Sequence, residues 1–140
     1  MSKLLAIDPA VRGALGWATF WNAELRDCGT IRISATTNKW SHLWEFLDEH
    51  SSDKIAYELV MRHTGVIAAQ LYGGCVAVIQ LWAQQHNIAA LGIGVQTGKK
   101  ALTGTGGASK DDSVRAALRR FDLHVTHDVA DAIGIGLAAL

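Results

Sequence analysis

The chain has 140 residues, 49% of them hydrophobic, with a single proline; that is the size and apolar content of one domain, 1–140, with one sizeable core and no linker. Lys and Arg together number 13, Asp and Glu also 13, and two cysteines stand far apart. This balance argues against a uniformly basic nucleic-acid coat, and the cysteines form neither a disulfide framework nor a metal motif.

Read in order, Leu4–Ile7 is a short buried strand, and Gly13 and Gly16 flank a turn into a second strand, Leu15–Trp21. Asn22-Ala23-Glu24 suits a hairpin, with Leu25–Ile33 as the antiparallel third strand. Trp40, Leu43, Trp44 and Leu47 then recur at helical spacing, with Thr37 or Asn38 as the N-cap. Lys54–Val60 returns to strand. Thr64–His86 is a long helix rich in small residues (Gly65, Ala68, Ala69, Gly73, Gly74, Ala77), which let a core element or a second subunit approach closely. Ala89–Val95 is a further strand. Ser109–Phe121 is an amphipathic helix whose apolar face is Val114, Ala117, Leu118 and Phe121, and His127–Leu140 is a closing apolar helix. No basic leader precedes an apolar run, and the apolar stretches are broken by Gly, Gln and His short of the ~20 residues of a spanning helix. A reducing, cytoplasmic setting is expected, with no membrane. The order β-β-β-α-β-α-β-α-α predicts an α/β fold: a mixed sheet covered by helices.

Acids interrupt this apolar pattern at four places. Asp8 ends the first strand, Glu58 stands near the end of the fourth, and Asp128 and Asp131 share a face at the start of the last helix. Taken singly, each has a plain explanation as a turn former, an exposed strand end, an N-cap or a first-turn acid favoured by the helix dipole. Taken together, four carboxylates on apolar elements are costly to bury unless paired or metal-bound. All-oxygen donors suit Mg²⁺ or Mn²⁺, and the chemistry that needs several carboxylates without thiols or paired histidines is two-metal phosphodiester cleavage. The basic residues collect between Lys99 and Arg120. "GVQTGKK" and "GTGGASK" both miss the P-loop spacing, which excludes an NTPase of that kind.

The ordered set resembles the RuvC-type Holliday junction resolvases. "LLAIDPAVRGALGWATF" is similar to their Ile-Asp-Pro-Gly strand-turn-strand opening, and "IAYELV" to their second acidic strand. "GKKALTGTGGASKDDSVRAAL" resembles their lysine loop, Gly-x-Gly turn and lysine-bearing helix start, and "HDVADAIGIGLAAL" their closing helix. The short length resembles that of compact phage-type members. The resemblance implies an RNase H-like fold, a five-stranded mixed sheet made of a three-strand antiparallel meander plus parallel strands, flanked by helices. It implies a homodimer through the helix around residues 64–82, two Mg²⁺ or Mn²⁺ ions per active site, and paired symmetric nicking of four-way DNA. Asp8, Glu58, Asp128 and Asp131 would then be catalytic and metal-binding: Asp8 between both ions, Glu58 on one and on the attacking water, Asp128 and Asp131 completing the second site. Lys99 and Lys110 would neutralise phosphates, and Gly104 and Gly106, with Gly107, would let backbone N–H groups approach one.

Two departures stand out. Ala10 replaces the family's glycine after Asp-Pro. Met61 replaces an aromatic that acts at the crossover, so Met61 as a wedge or Arg62 as a stacking guanidinium takes that place. His127 reads as a surface histidine beside Asp128. The alternatives are a nuclease for RNA or RNA–DNA hybrids on the same scaffold, and a non-catalytic branched-DNA binding module.

Overall fold

In the computed structural model, residues 2–9, 14–33 and 38–140 are described. The apolar run of β1 (Lys3–Asp8) is buried on both faces, as expected of a central strand with both sides covered. β2 (Ala14–Trp21) pairs antiparallel with β1, and β3 (Glu24–Arg32) antiparallel with β2. Asn22 and Ala23 join β2 to β3 with positive φ at both residues, 50° and 68°, which suits the twist of a two-residue hairpin. β4 (Lys54–Leu59) lies parallel to β1 on its other side, and β5 (Ala89–Gly94) parallel to β4. The sheet order is β3-β2-β1-β4-β5, the expected meander plus parallel strands.

The pleat sorts side chains by parity. Leu5, Ile7, Ile55 and Tyr57 face α1 (Lys39–Glu49) and α2 (Val66–Gln85), meeting Leu43, Leu47, Cys75, Ile79 and Trp82. Leu4, Ala6, Ala18, Phe20 and Ala56 face the other layer, built from α3 (Val95–Thr103), α4 (Lys110–Phe121) and α5 (His127–Ala139). This second layer sits tight on the sheet: a Cβ on Gly134 of α5 would lie 2.6 Å from the Gly98 carbonyl oxygen of α3.

Several expectations need correction. β5 stops at Gly94, and the lysine segment after it is helix α3 rather than a loop; Gly104 ends that helix as a left-handed cap at φ 93°. Gly16 lies inside β2 rather than at its turn; Gly13, Ala10 and Thr37 fall outside the described residues. Asn38 makes no side-chain cap bond to α1. On α4, Leu118 is exposed, and Ser113, Ala116 and Ala117 are the buried positions. Their small side chains allow the helix to settle close to α5. The α5 N-cap is Thr126, whose hydroxyl accepts from the Val129 N–H, so Asp128 is free of that duty. Finally, α2 spans 20 residues and is long and apolar enough to cross a membrane by length and composition, against the expectation that no stretch would be. Its Ala68, Cys75, Ile79, Trp82 and Ala83 are buried against this domain, and most of its other residues are exposed or half-buried.

Candidate active site

The β1–β4 register runs from Leu4↔Lys54 to Ile7↔Tyr57. The next residues on the two strands are Asp8 and Glu58, neighbours at the carboxyl end of the parallel pair. By strand alternation both side chains leave on the face shared with Ala6 and Ala56, toward α5. There α5 presents Asp131, one turn in from its start. Carboxylate oxygens of Asp8, Glu58 and Asp131 lie within 4.8 Å of one another. Asp128 lines the same cavity, of about 280 Å³, together with Lys99, Lys110, Val95, His63 and Tyr72. It stands outside the three-carboxylate group.

Gly16 makes this convergence possible. It pairs with Asp8 across β1–β2, and a Cβ there would overlap the backbone carbonyl of Asp128. Only a bare Cα lets the first turn of α5 come down beside Asp8. The β2–α5 approach was missed in the sequence because a lone glycine in a strand reads equally as a turn or a bulge.

The electrostatics are those of crowded like charges. Burial pushes the Asp8 carboxyl well above its usual range, and Glu58, Asp131 and Asp128 add to this, while Lys110 opposes it. Glu58 is pushed up to about 7, by burial first and then by Asp131, with Lys99 pulling the other way. Asp131 is raised by burial, with Lys99 the leading opposing charge. Among the described residues, none of these three carboxylates takes part in a hydrogen bond or an ion pair. Three half-buried to buried acids without donors form a set of hard oxygen ligands, which fits a divalent cation such as Mg²⁺ or Mn²⁺.

Lys110 adds a second sign of charge placement. It occupies the first turn of α4, next to the Ser109–Asp112 capping box. A cation there opposes the helix dipole, and its position on the acidic cavity supplies the reason. Lys99 is half-buried on α3 and faces the same cavity.

Other predicted site residues lie elsewhere. Met61 is 82% exposed, and it and Arg62 are outside the cavity lining, as are Gly104 and Gly106. Gly106 packs against Gln96, 3.2 Å from where a Cβ would stand. Arg120 donates to the Ala101 and Leu102 carbonyls and so closes the end of α3. His127 is bound to Asp111 at 3.0 Å and ties α5 to α4 on the surface. Tyr72 and His63 also line the cavity, and the sequence gives no sign of it: Tyr72 lies within a helix that reads as a small-residue packing face, and His63 adjoins the crossover residues.

A mixed five-stranded sheet in the order β3-β2-β1-β4-β5, with acids at the ends of β1 and β4 and on the closing helix, is the ribonuclease H-like architecture. Within that class the chain has the fold of the Holliday junction resolvases of RuvC type. Thermus thermophilus RuvC, solved in complex with a Holliday junction substrate, superposes with a TM-score of 0.74 at 18% identity, covering 99% of this chain and 92% of that one. The fowlpox virus Holliday junction resolvase gives 0.68 at 12% identity, covering 98% and 96%. The yeast mitochondrial resolvase Ydc2 gives 0.58 at 11% identity, covering 98% and 77%. No family model matches the sequence, and no curated protein does; the likeness lies in the fold.

Proposed function

We propose that this chain is a metal-dependent endonuclease that resolves four-way DNA junctions by paired symmetric nicks. The observation that carries the reading is the meeting of Asp8, Glu58 and Asp131 within 4.8 Å, from three separate elements, beside Lys99 and Lys110. The fold shared with junction resolvases supports the choice of substrate.

Asp8, Glu58 and Asp131 would hold the first cation, and Asp128, at the cavity edge, would complete a second site. When bound, the divalent ions supply Lewis-acid charge to the scissile phosphate and its leaving oxygen. Lys99 and Lys110 bind and orient the phosphate backbone. The Glu58 carboxylate accepts a hydrogen bond from the attacking water and aims it in line with the leaving 3′ oxygen. The products are a 3′-hydroxyl and a 5′-phosphate. Met61 and Arg62, exposed just beyond Glu58, would meet the crossover, and Gly104 and Gly106 would approach the backbone of an arm.

A four-way junction has two-fold symmetry, which an isologous dimer matches. The dimer seam is the face of α2 that carries Val66, Ala69, Gly73 and Ala77, all exposed. A Cβ at Gly73 would meet nothing within 4 Å, so a second helix has open access there. The reading goes with action on DNA in the cytoplasm of a bacterium or a phage-infected cell.

The test is cleavage of a synthetic four-way junction, with and without Mg²⁺ or Mn²⁺, beside Asp8→Asn, Glu58→Gln and Asp131→Asn. Paired nicks that need the metal and all three acids are expected, with junction binding retained in the variants. Binding without cutting would make the chain a junction-binding module. Cutting of RNA or hybrid alone would move it to the RNA nucleases of this scaffold. Metal-independent cutting by Asp8→Asn would overturn the site.

A further inference from the structure

Glu58 has its place in the site only if the end of β4 is held, and β4 runs out of partners there. Its pairing with β1 ends at Tyr57, and its pairing with β5 at Leu59. Backbone groups at i and i+2 leave a strand on the same edge. At the end of β4 these are the Glu58 carbonyl and the Val60 N–H, which a further strand would satisfy.

A single side chain from the opposite layer does so instead. The Tyr72 hydroxyl of α2 donates to the Glu58 carbonyl at 2.9 Å and accepts from the Val60 N–H at 3.0 Å. Its ring is set by His63, with centroids 4.7 Å apart. Tyr72 thus reaches the end of β4 from α2, at the edge of the acidic cavity that it also lines, and grips the backbone that carries Glu58 without occupying its carboxylate.

We infer that Tyr72 is a positioning residue: by closing the end of β4 it sets the Glu58 carboxylate against Asp8 and Asp131 for metal binding. The inference rests on the metal site proposed above. It also links that site to α2, because the helix whose outer face is the proposed dimer seam holds Glu58 by its inner face. A second α2–β4 bond, Gln80 Nε2 to the Tyr57 hydroxyl at 3.1 Å, grips the strand one residue before Glu58 and at a side chain. It provides a matched comparison.

Tyr72→Phe removes the hydroxyl and keeps the ring. It is expected to weaken Mn²⁺ binding, measured by calorimetry without DNA, by roughly 10-fold, the lower end for a group that orients a metal ligand. It should lower kcat by a similar factor and leave KM for the junction unchanged. Gln80→Leu should lower stability and leave Mn²⁺ affinity where it was. In the unmodified protein the Val60 amide, just past the strand end, should exchange slowly with solvent, and faster in Tyr72→Phe. Wild-type Mn²⁺ affinity in Tyr72→Phe, an equal loss in Gln80→Leu, or an unprotected Val60 amide would each overturn the inference. Glu58→Gln run alongside separates the two failures. If it abolishes Mn²⁺ binding, the site stands whatever Tyr72 does; if it binds Mn²⁺ normally, the site and the inference fall together.

Discussion

Gly16 and Asp128 touch backbone to backbone: the space a Cβ would need on Gly16 is filled by the Asp128 carbonyl. Gly16 also faces Asp8 across the β1–β2 pair. One glycine therefore sets the height of the α5 first turn above the strand that carries the central acid. Gly16→Ala must push α5 away or bend β2. The expected cost is about 1–3 kcal/mol, in the range of overpacking changes, together with loss of metal-dependent cleavage out of proportion to the stability change. Urea melts and junction assays on the same preparation check it. A stable variant with full cleavage would show that the α5 height is not set at Gly16.

The crowded acids give the metal-free protein a distinctive pH dependence. Glu58 has a folded value of about 7, above its ordinary 4.5, and Asp8 and Asp131 are raised as well. A raised carboxyl binds its proton more tightly when folded. Its contribution is therefore complete below the unfolded value and is lost as pH rises through the folded one. Metal-free stability should fall between about pH 4.5 and 7, by up to about 3 kcal/mol from Glu58. Mg²⁺ or Mn²⁺ should restore it above pH 7, where the ionised ligands are available. Glu58→Gln should flatten the metal-free fall. Urea melts at pH 5 and pH 8, with EDTA or with metal, decide the matter; greater stability at pH 8 with EDTA would contradict the assigned direction.

The two lysines should separate in assay. Lys110→Ala should weaken junction binding alike for all sequences and lower the salt slope by about one unit, as for the loss of one phosphate contact. Lys99 is the leading cation holding down both Glu58 and Asp131. Lys99→Ala should therefore move the acid limb of the pH–rate profile to higher pH by more than Lys110→Ala does, because Lys110 is the smaller of the two opposing charges at both acids. An unchanged salt slope in Lys110→Ala would take that lysine off the DNA path.

Gly73→Arg tests the dimer seam. A Cβ at Gly73 meets nothing within 4 Å, and arginine has a better helix propensity than glycine by about 0.8 kcal/mol, so the monomer should fold at least as well. Close pairing of two α2 helices should fail. Sedimentation is expected to give a monomer that nicks a junction on one strand without paired resolution. A dimer of normal strength would move the seam off this face of α2.

The strand and helix order, except α3, and the four acids at apolar element ends are legible in the residues alone. Both rest on local signals: alternation and helical spacing report burial directly, and an acid in an apolar run is anomalous wherever the run packs. The segment Val95–Thr103 does not read as helix because Gly98 lowers its helix propensity and it is only nine residues long, and its packing of Gly98 on Gly134 is long-range. Which acids meet depends on long-range packing. Asp131 joins Asp8 and Glu58, and Asp128 stands at the edge, because Gly16 fixes how far α5 descends and Tyr72 holds β4 from the opposite layer. Both contacts join residues far apart in the chain, through one missing Cβ and one hydroxyl. Side-chain periodicity carries no record of either, since it reports which face a residue takes and not what stands across from it.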